Sequence, residues 1–104
     1  MSNKEFQVNY LPIAKKDLEE IIKYIQTDNP SAALDFLNQI DETISKLKEF
    51  PYMGKTPKDE HLKFLNYRML VIENYLVFYT VKEEVTEVEI KRIIHGKRKY
   101  NFLI

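Results

Sequence analysis

The run His95-Gly96-Lys97-Arg98-Lys99-Tyr100 places an imidazole, three cations and a phenol within six residues. From Lys91 to Lys99 there are five basic residues and no acid. Cations at that density raise a local positive potential that attracts phosphate whatever the total charge of the chain, so nucleic acid is the natural anionic target. The same groups also suit metal-free phosphate chemistry. RNA can be cut by its own 2′-hydroxyl if a base removes the proton, cations stabilise the crowded phosphate, and an acid serves the leaving oxygen. His95 has a suitable ordinary pKa for either proton role. Arg98, joined by Arg68 from an earlier segment, can hold a phosphate bidentately. Lys97 adds charge, while Tyr100 or Tyr79 can stack on a base or donate a proton. Each residue also has a plainer reading. His95 before Gly96 can close a strand by hydrogen bonding, Tyr67, Tyr75 and Tyr79 can be packing residues, and Arg68 can be a solvated strand residue.

Other chemistries are harder to build from this chain. Gly54 and Gly96 are its only glycines, which leaves no glycine-rich phosphate loop. His61 and His95 stand far apart without carboxylates at ligand spacing, so no metal and no cofactor is expected. No serine sits in a nucleophile elbow. The absence of cysteine removes disulfides and thiolate catalysis, and fits a reducing compartment. No apolar run reaches membrane length, and Met1 to Leu11 lacks the form of a signal peptide, so a soluble cytoplasmic protein is expected.

Positioning these groups falls to a chain of 104 residues, enough for one core and one domain, 1–104. Its net charge is zero but unevenly spread. Residues 1–50 carry six Lys/Arg against nine Asp/Glu, and 51–104 carry ten against seven. Phe6 to Leu11 alternates as a strand, and Pro12 suits the first turn of a helix. Ala14, Leu18, Ile21, Ile22 and Ile25 then recur at helical spacing. Thr27-Asp28-Asn29-Pro30 breaks that helix, and Asn29 can cap a second one from Pro30 to about Glu49. In the second helix Ala33, Leu37, Ile40, Ile44 and Leu47 form an antiparallel seam, which Phe36 widens. Phe50 to Asn66, with Pro51, Gly54 and Pro57, reads as a long loop.

Three strands follow. Tyr67–Ile72 and Tyr75–Val81 are joined at Glu73-Asn74, and Lys82 to Glu84 turns into a strand from Val85 to Ile94. Val88, Ile90 and Ile94 are expected on one face, with Arg92 in phase with them. An arginine in core phase needs a partner or an opening. The order β-α-α-β-β-β indicates an α+β domain, a helical hairpin packed on one face of a small, largely antiparallel sheet.

Several blocks in this order resemble the RelE/ParE superfamily of toxins from bacterial type II toxin–antitoxin modules. They are Ala14-x-x-Asp17-Leu18, Phe50-Pro51-Tyr52-Met53-Gly54, Tyr67-Arg68, Asn74-Tyr75-Leu76-Val77-Phe78-Tyr79 and Arg92-Ile93-Ile94-His95-Gly96-Lys97-Arg98. The resemblance spans nearly the whole chain. It implies a growth inhibitor of the plasmid-stabilisation kind, held inactive by a cognate antitoxin, as a homodimer or a toxin–antitoxin hetero-oligomer. RelE-like members cleave mRNA on the ribosome without a metal, which would give Arg68, His95, Arg98 and Tyr100 catalytic roles, with Lys97 adding charge. ParE-like members inhibit DNA gyrase, which would make Arg68, Arg92, Lys97, Arg98 and Lys99 target contacts. In RelE-like members the catalytic tyrosine lies further past the last arginine than Tyr100 lies past Arg98, and the two long helices and His-Gly-basic-basic ending look ParE-like. Gyrase is therefore the expected target, with mRNA cleavage the alternative and a non-toxic binding domain of the same fold the third reading.

Overall fold

The computed structural model describes residues 5–97. Strand β1 (Gln7–Tyr10) leads through Leu11 into helix α1 (Pro12–Asp28), which starts on its proline without a side-chain cap. Proline costs nothing there, because the first N–H of a helix has no partner within it. Asn29 serves two helices at once. Its N–H closes α1 on the Ile25 carbonyl, and its side chain accepts from Ala32 N–H at the start of α2 (Pro30–Ser45). A 3₁₀ turn over Lys46–Lys48 extends α2 and buries Leu47.

Ala33, Phe36, Ile40 and Ile44 form the buried stripe of α2. Leu37, expected in the seam, is 39% exposed, and Phe36 holds the interior position instead. The bulkier ring reaches the sheet, where it packs against Tyr75 with centroids 5.0 Å apart. Each fully buried side chain such as Ile40, Ile90 or Val77 contributes about 1.5–3 kcal/mol through removal from water.

Strands β2 (Arg68–Ile72), β3 (Tyr75–Lys82) and β4 (Glu87–His95) complete a sheet of order β1-β4-β3-β2. The pairs β2–β3 and β3–β4 are antiparallel, whereas β1 runs parallel to β4. The β2–β3 turn holds Glu73 in the left-handed region (φ 54°), a position that usually favours glycine or asparagine. The connection into β4 is a 3₁₀ turn over Glu83–Val85 closed by Thr86 at φ 47°, so β4 begins two residues later than the sequence suggests.

A β-bulge corrects the expected facing of β4. Tyr79 pairs with Ile90 and Phe78 with Arg92, leaving Lys91 without an opposite residue. One extra residue inverts the alternation beyond it. Ile93, not Ile94, therefore joins Val88 and Ile90 in the main core beneath the helical hairpin. Ile94 turns to a second cluster with Phe78 and Leu62 on the other side.

Leu62 belongs to a short helix, α3 (Glu60–Phe64), within the segment expected to be a loop. Asp59 caps it by accepting from Leu62 N–H at 3.0 Å. Five residues are too few to show a helical period in sequence. Among the described residues no helix is long and apolar enough to cross a membrane.

Candidate functional site

At one end of the sheet, Arg68 opens β2 directly opposite Tyr79. It shares the face of Leu70 and Ile72, and so its guanidinium is partly enclosed. Its Nη2 donates to the carbonyls of Tyr52 (3.0 Å) and Gly54 (2.8 Å), and the guanidinium carbon lies 5.3 Å from the Tyr52 ring centre. The Tyr52 hydroxyl donates to Glu83 at 2.5 Å, and this bond is the main reason its pKa is raised. Gly54 N–H donates to the fully buried Tyr79 hydroxyl at 2.9 Å. Burial raises the Tyr79 pKa, opposed by that N–H and by Arg68.

Glycine is required at position 54 for space. A Cβ there would sit 2.6 Å from the Tyr79 oxygen and 2.9 Å from the Met69 carbonyl. A bridge between Lys55 and Met69, with bonds of 2.9 and 2.8 Å, then ties the loop to the edge of β2. Beside this stitching lies an open cleft of about 250 Å³ bordered by Tyr52, Thr56, Lys63, Asn66, Tyr67 and Arg68. Arg68 is thus an anchor for a loop, with Nη2 already committed to two carbonyls.

At the other end, His95 closes β4 opposite Tyr75, and the two rings meet edge to face at 5.2 Å. Its Nδ1 accepts from Lys97 N–H at 3.1 Å. An accepting Nδ1 is unprotonated, which assigns the proton of the neutral ring to Nε2. Gly96 N–H donates to the Asn74 carbonyl at 2.7 Å, holding the strand end against the β2–β3 turn. The sequence reading that His95 closes the strand describes this geometry. Tyr67, Tyr75 and Tyr79 likewise all pack in the two clusters.

Arg92 has its partner. Nε and Nη2 bond the two carboxylate oxygens of Asp17 at 2.7 and 3.0 Å, and Ile93 N–H donates to the same carboxylate at 3.0 Å. The side chains are only 15% and 11% exposed. The bonds to Asp17 are the largest cause of the raised Arg92 pKa. The topology explains the arrangement. The last β1–β4 contact is Leu11 N–H to the Ile90 carbonyl, so among the described residues β4 continues past β1 with an open edge. Asp17, on α1, supplies there the acceptor that the missing strand would have provided.

Sequence reasoning singled out Arg92 but not the role of Asp17. The available signal was a carboxylate flanked by Ala14, Leu18 and Ile21, the residues of the α1 stripe that face the sheet. Arg68 and His95 are not brought together. They pair with Tyr79 and Tyr75, four residues apart on β3, about 13 Å along the strand. Arg98, Lys99 and Tyr100 lie outside the described residues. Among the described residues no group of three or more His, Asp or Glu is placed to hold a metal ion.

Comparison with solved structures returns the same fold. A chain of the chromosomal ParDE system of P. aeruginosa superposes with TM-score 0.74 at 21% identity, covering 92% of this chain and 100% of that one. A chain of the RelBE2 toxin–antitoxin complex of Mycobacterium tuberculosis gives TM-score 0.61 at 20% identity, covering 88% and 98%. The isolated E. coli RelE toxin gives TM-score 0.61 at 12% identity, covering 94% and 92%. Comparison with curated protein sequences gives no match. The sequence profile of the ParE toxin of the type II toxin–antitoxin system parDE matches residues 8–100. A match over that much of the sequence, on a fold that ParDE and RelE structures share, makes this chain a member of the ParE toxin family of type II toxin–antitoxin systems.

Proposed function

We propose that this toxin acts in the cytoplasm as a binding inhibitor of DNA gyrase, with Lys97, Arg98 and Lys99 as target contacts. A cognate antitoxin holds it inactive. Arg92, paired with Asp17, supports the segment from beneath instead of meeting the target. The observation that carries this reading is the separation of Arg68 from His95, which face β3 residues four positions apart from opposite sides of that strand. A nuclease of the RelE type needs its cations and its proton carrier around one phosphate. Here one cation is bonded to loop carbonyls and the imidazole nitrogen to a backbone N–H. The antitoxin partner is supported by the relatives from P. aeruginosa and M. tuberculosis, described as a ParDE system and a RelBE2 toxin–antitoxin complex.

The test is gyrase supercoiling with purified toxin, run beside mRNA integrity in a purified translation system. Blocked supercoiling with intact mRNA is expected. Codon-positioned cuts with unimpaired supercoiling would replace this reading with the ribosomal nuclease.

A further inference from the structure

We infer that Asp17 is a positioning residue for the toxic segment, acting through Arg92 and the backbone of Ile93. The inference rests on the reading of Lys97 and the residues after it as target contacts. Three facts combine. First, β4 outruns β1 after Ile90, so among the described residues its outer edge from Lys91 onward has no strand beside it. Second, one carboxylate on α1 accepts from both sides of the Arg92–Ile93 step, taking two guanidinium N–H groups and one backbone N–H. Third, this step immediately follows the bulge at Lys91, where the strand changes facing.

A bulge loosens the ladder locally and gives the strand a choice of direction. A bidentate pair plus a backbone bond removes that choice, because three donors must converge on one planar group. The last residues of β4, Ile93 to His95, are thereby tied to the helical hairpin as well as to β3. His95 is in turn bonded to Lys97. Asp17 thus controls the direction in which Lys97 leaves the sheet without itself touching the target.

Two substitutions separate this role from simple support of the fold. Asp17→Asn keeps an oxygen for Ile93 N–H but removes the ion pair, and Arg92→Lys keeps the charge but removes the two-pronged geometry. Both are compared with the wild type by amide exchange, by supercoiling inhibition and by growth arrest on induction. Exchange at Ile93 and Gly96 is expected to quicken about tenfold, with Ile40 and Ile44 in the interior of α2 unchanged. Inhibition and growth arrest weaken on the order of tenfold with it.

Quickened exchange at Ile93 with undiminished growth arrest overturns the inference, and so does exchange that quickens equally at Ile40. If Asp17→Asn does not fold, Arg92→Lys decides on the same criteria. If the wild type arrests growth without touching supercoiling, the gyrase reading fails, and the ratio of growth arrest between wild type and variant still decides the role of Asp17.

Discussion

The two strands that flank β3 carry the same device built from different acceptors. On β2, opposite Tyr79, Arg68 bonds two neutral carbonyls of the segment around Gly54. On β4, opposite Phe78, Arg92 bonds a carboxylate on a helix. Both arginines looked like candidates to meet a target, and both are occupied in holding another element against the sheet. The acceptors differ in consequence. A carbonyl accepts a hydrogen bond and remains neutral if the arginine leaves. A carboxylate deprived of its arginine, or an arginine deprived of its carboxylate, is left as a nearly buried charge. The Arg92–Asp17 pair should therefore be the more sensitive to loss of a partner.

That difference can be broken directly by removing one partner from each device. Asp17→Ala takes the acceptor from three donors and is expected to cost about 3–5 kcal/mol. Arg68→Met removes charge-assisted bonds to neutral carbonyls and is expected to cost about 1.5–3 kcal/mol. Urea unfolding of both variants ranks them, and an equal or reversed order would refute the contrast.

Gly54→Ala sharpens the Arg68 side of the contrast by forcing a methyl against the Tyr79 ring, with an expected loss of about 1–3 kcal/mol. The same unfolding experiment reads it, and a neutral result would mean that the loop yields more readily than its stitching suggests.

A smaller effect is expected at alkaline pH where β1 stops and β4 continues. Burial, with Asp41 adding to it, lifts the Tyr10 hydroxyl from 10.0 to about 12. The unfolded chain then releases this proton first. Stability from Tyr10 is present below about pH 10 and is lost as the pH rises towards 12. Tyr10→Phe should flatten that part of the decline in unfolding free energy between about pH 10 and about pH 12.

The smallest effect belongs to His95→Ala. The ring is exposed, so the change should stay within about 0.5 kcal/mol, while a large loss would show that its contact with Tyr75 bears more of the fold than its exposure implies.

Much of this architecture was legible because local chemistry and global fold agree over most of the chain. Pro12, Asn29 and Pro30 mark helix boundaries by what they can and cannot hydrogen-bond, and the structure places those boundaries there. The misses have a common physical origin in effects that period counting cannot register. Lys91 enters a bulge only because Tyr79 and Ile90 pair across the sheet, and that one residue moves Ile94 to the opposite face. Phe36 displaces Leu37 from the interior because the sheet offers Tyr75 as a partner. The candidate site was legible as a set of residue types but not as a geometry. Arg68 and His95 share a chemistry on paper, and only the strand register separates them.

The pairing of the first strand with the last has a consequence for how the toxin comes into being. Asn9 donates to Glu87 across 78 residues of sequence, and among the described residues β1 has no neighbour in the sheet other than β4. During synthesis the helical hairpin can form early, since its contacts are local. β1 must wait, exposed, while the chain grows at about 5–20 residues per second. The sheet is therefore completed only after β4 has been made. A chain that stops before β4 leaves β1 without its partner strand, so the topology couples the exit of Lys97 to a finished sheet.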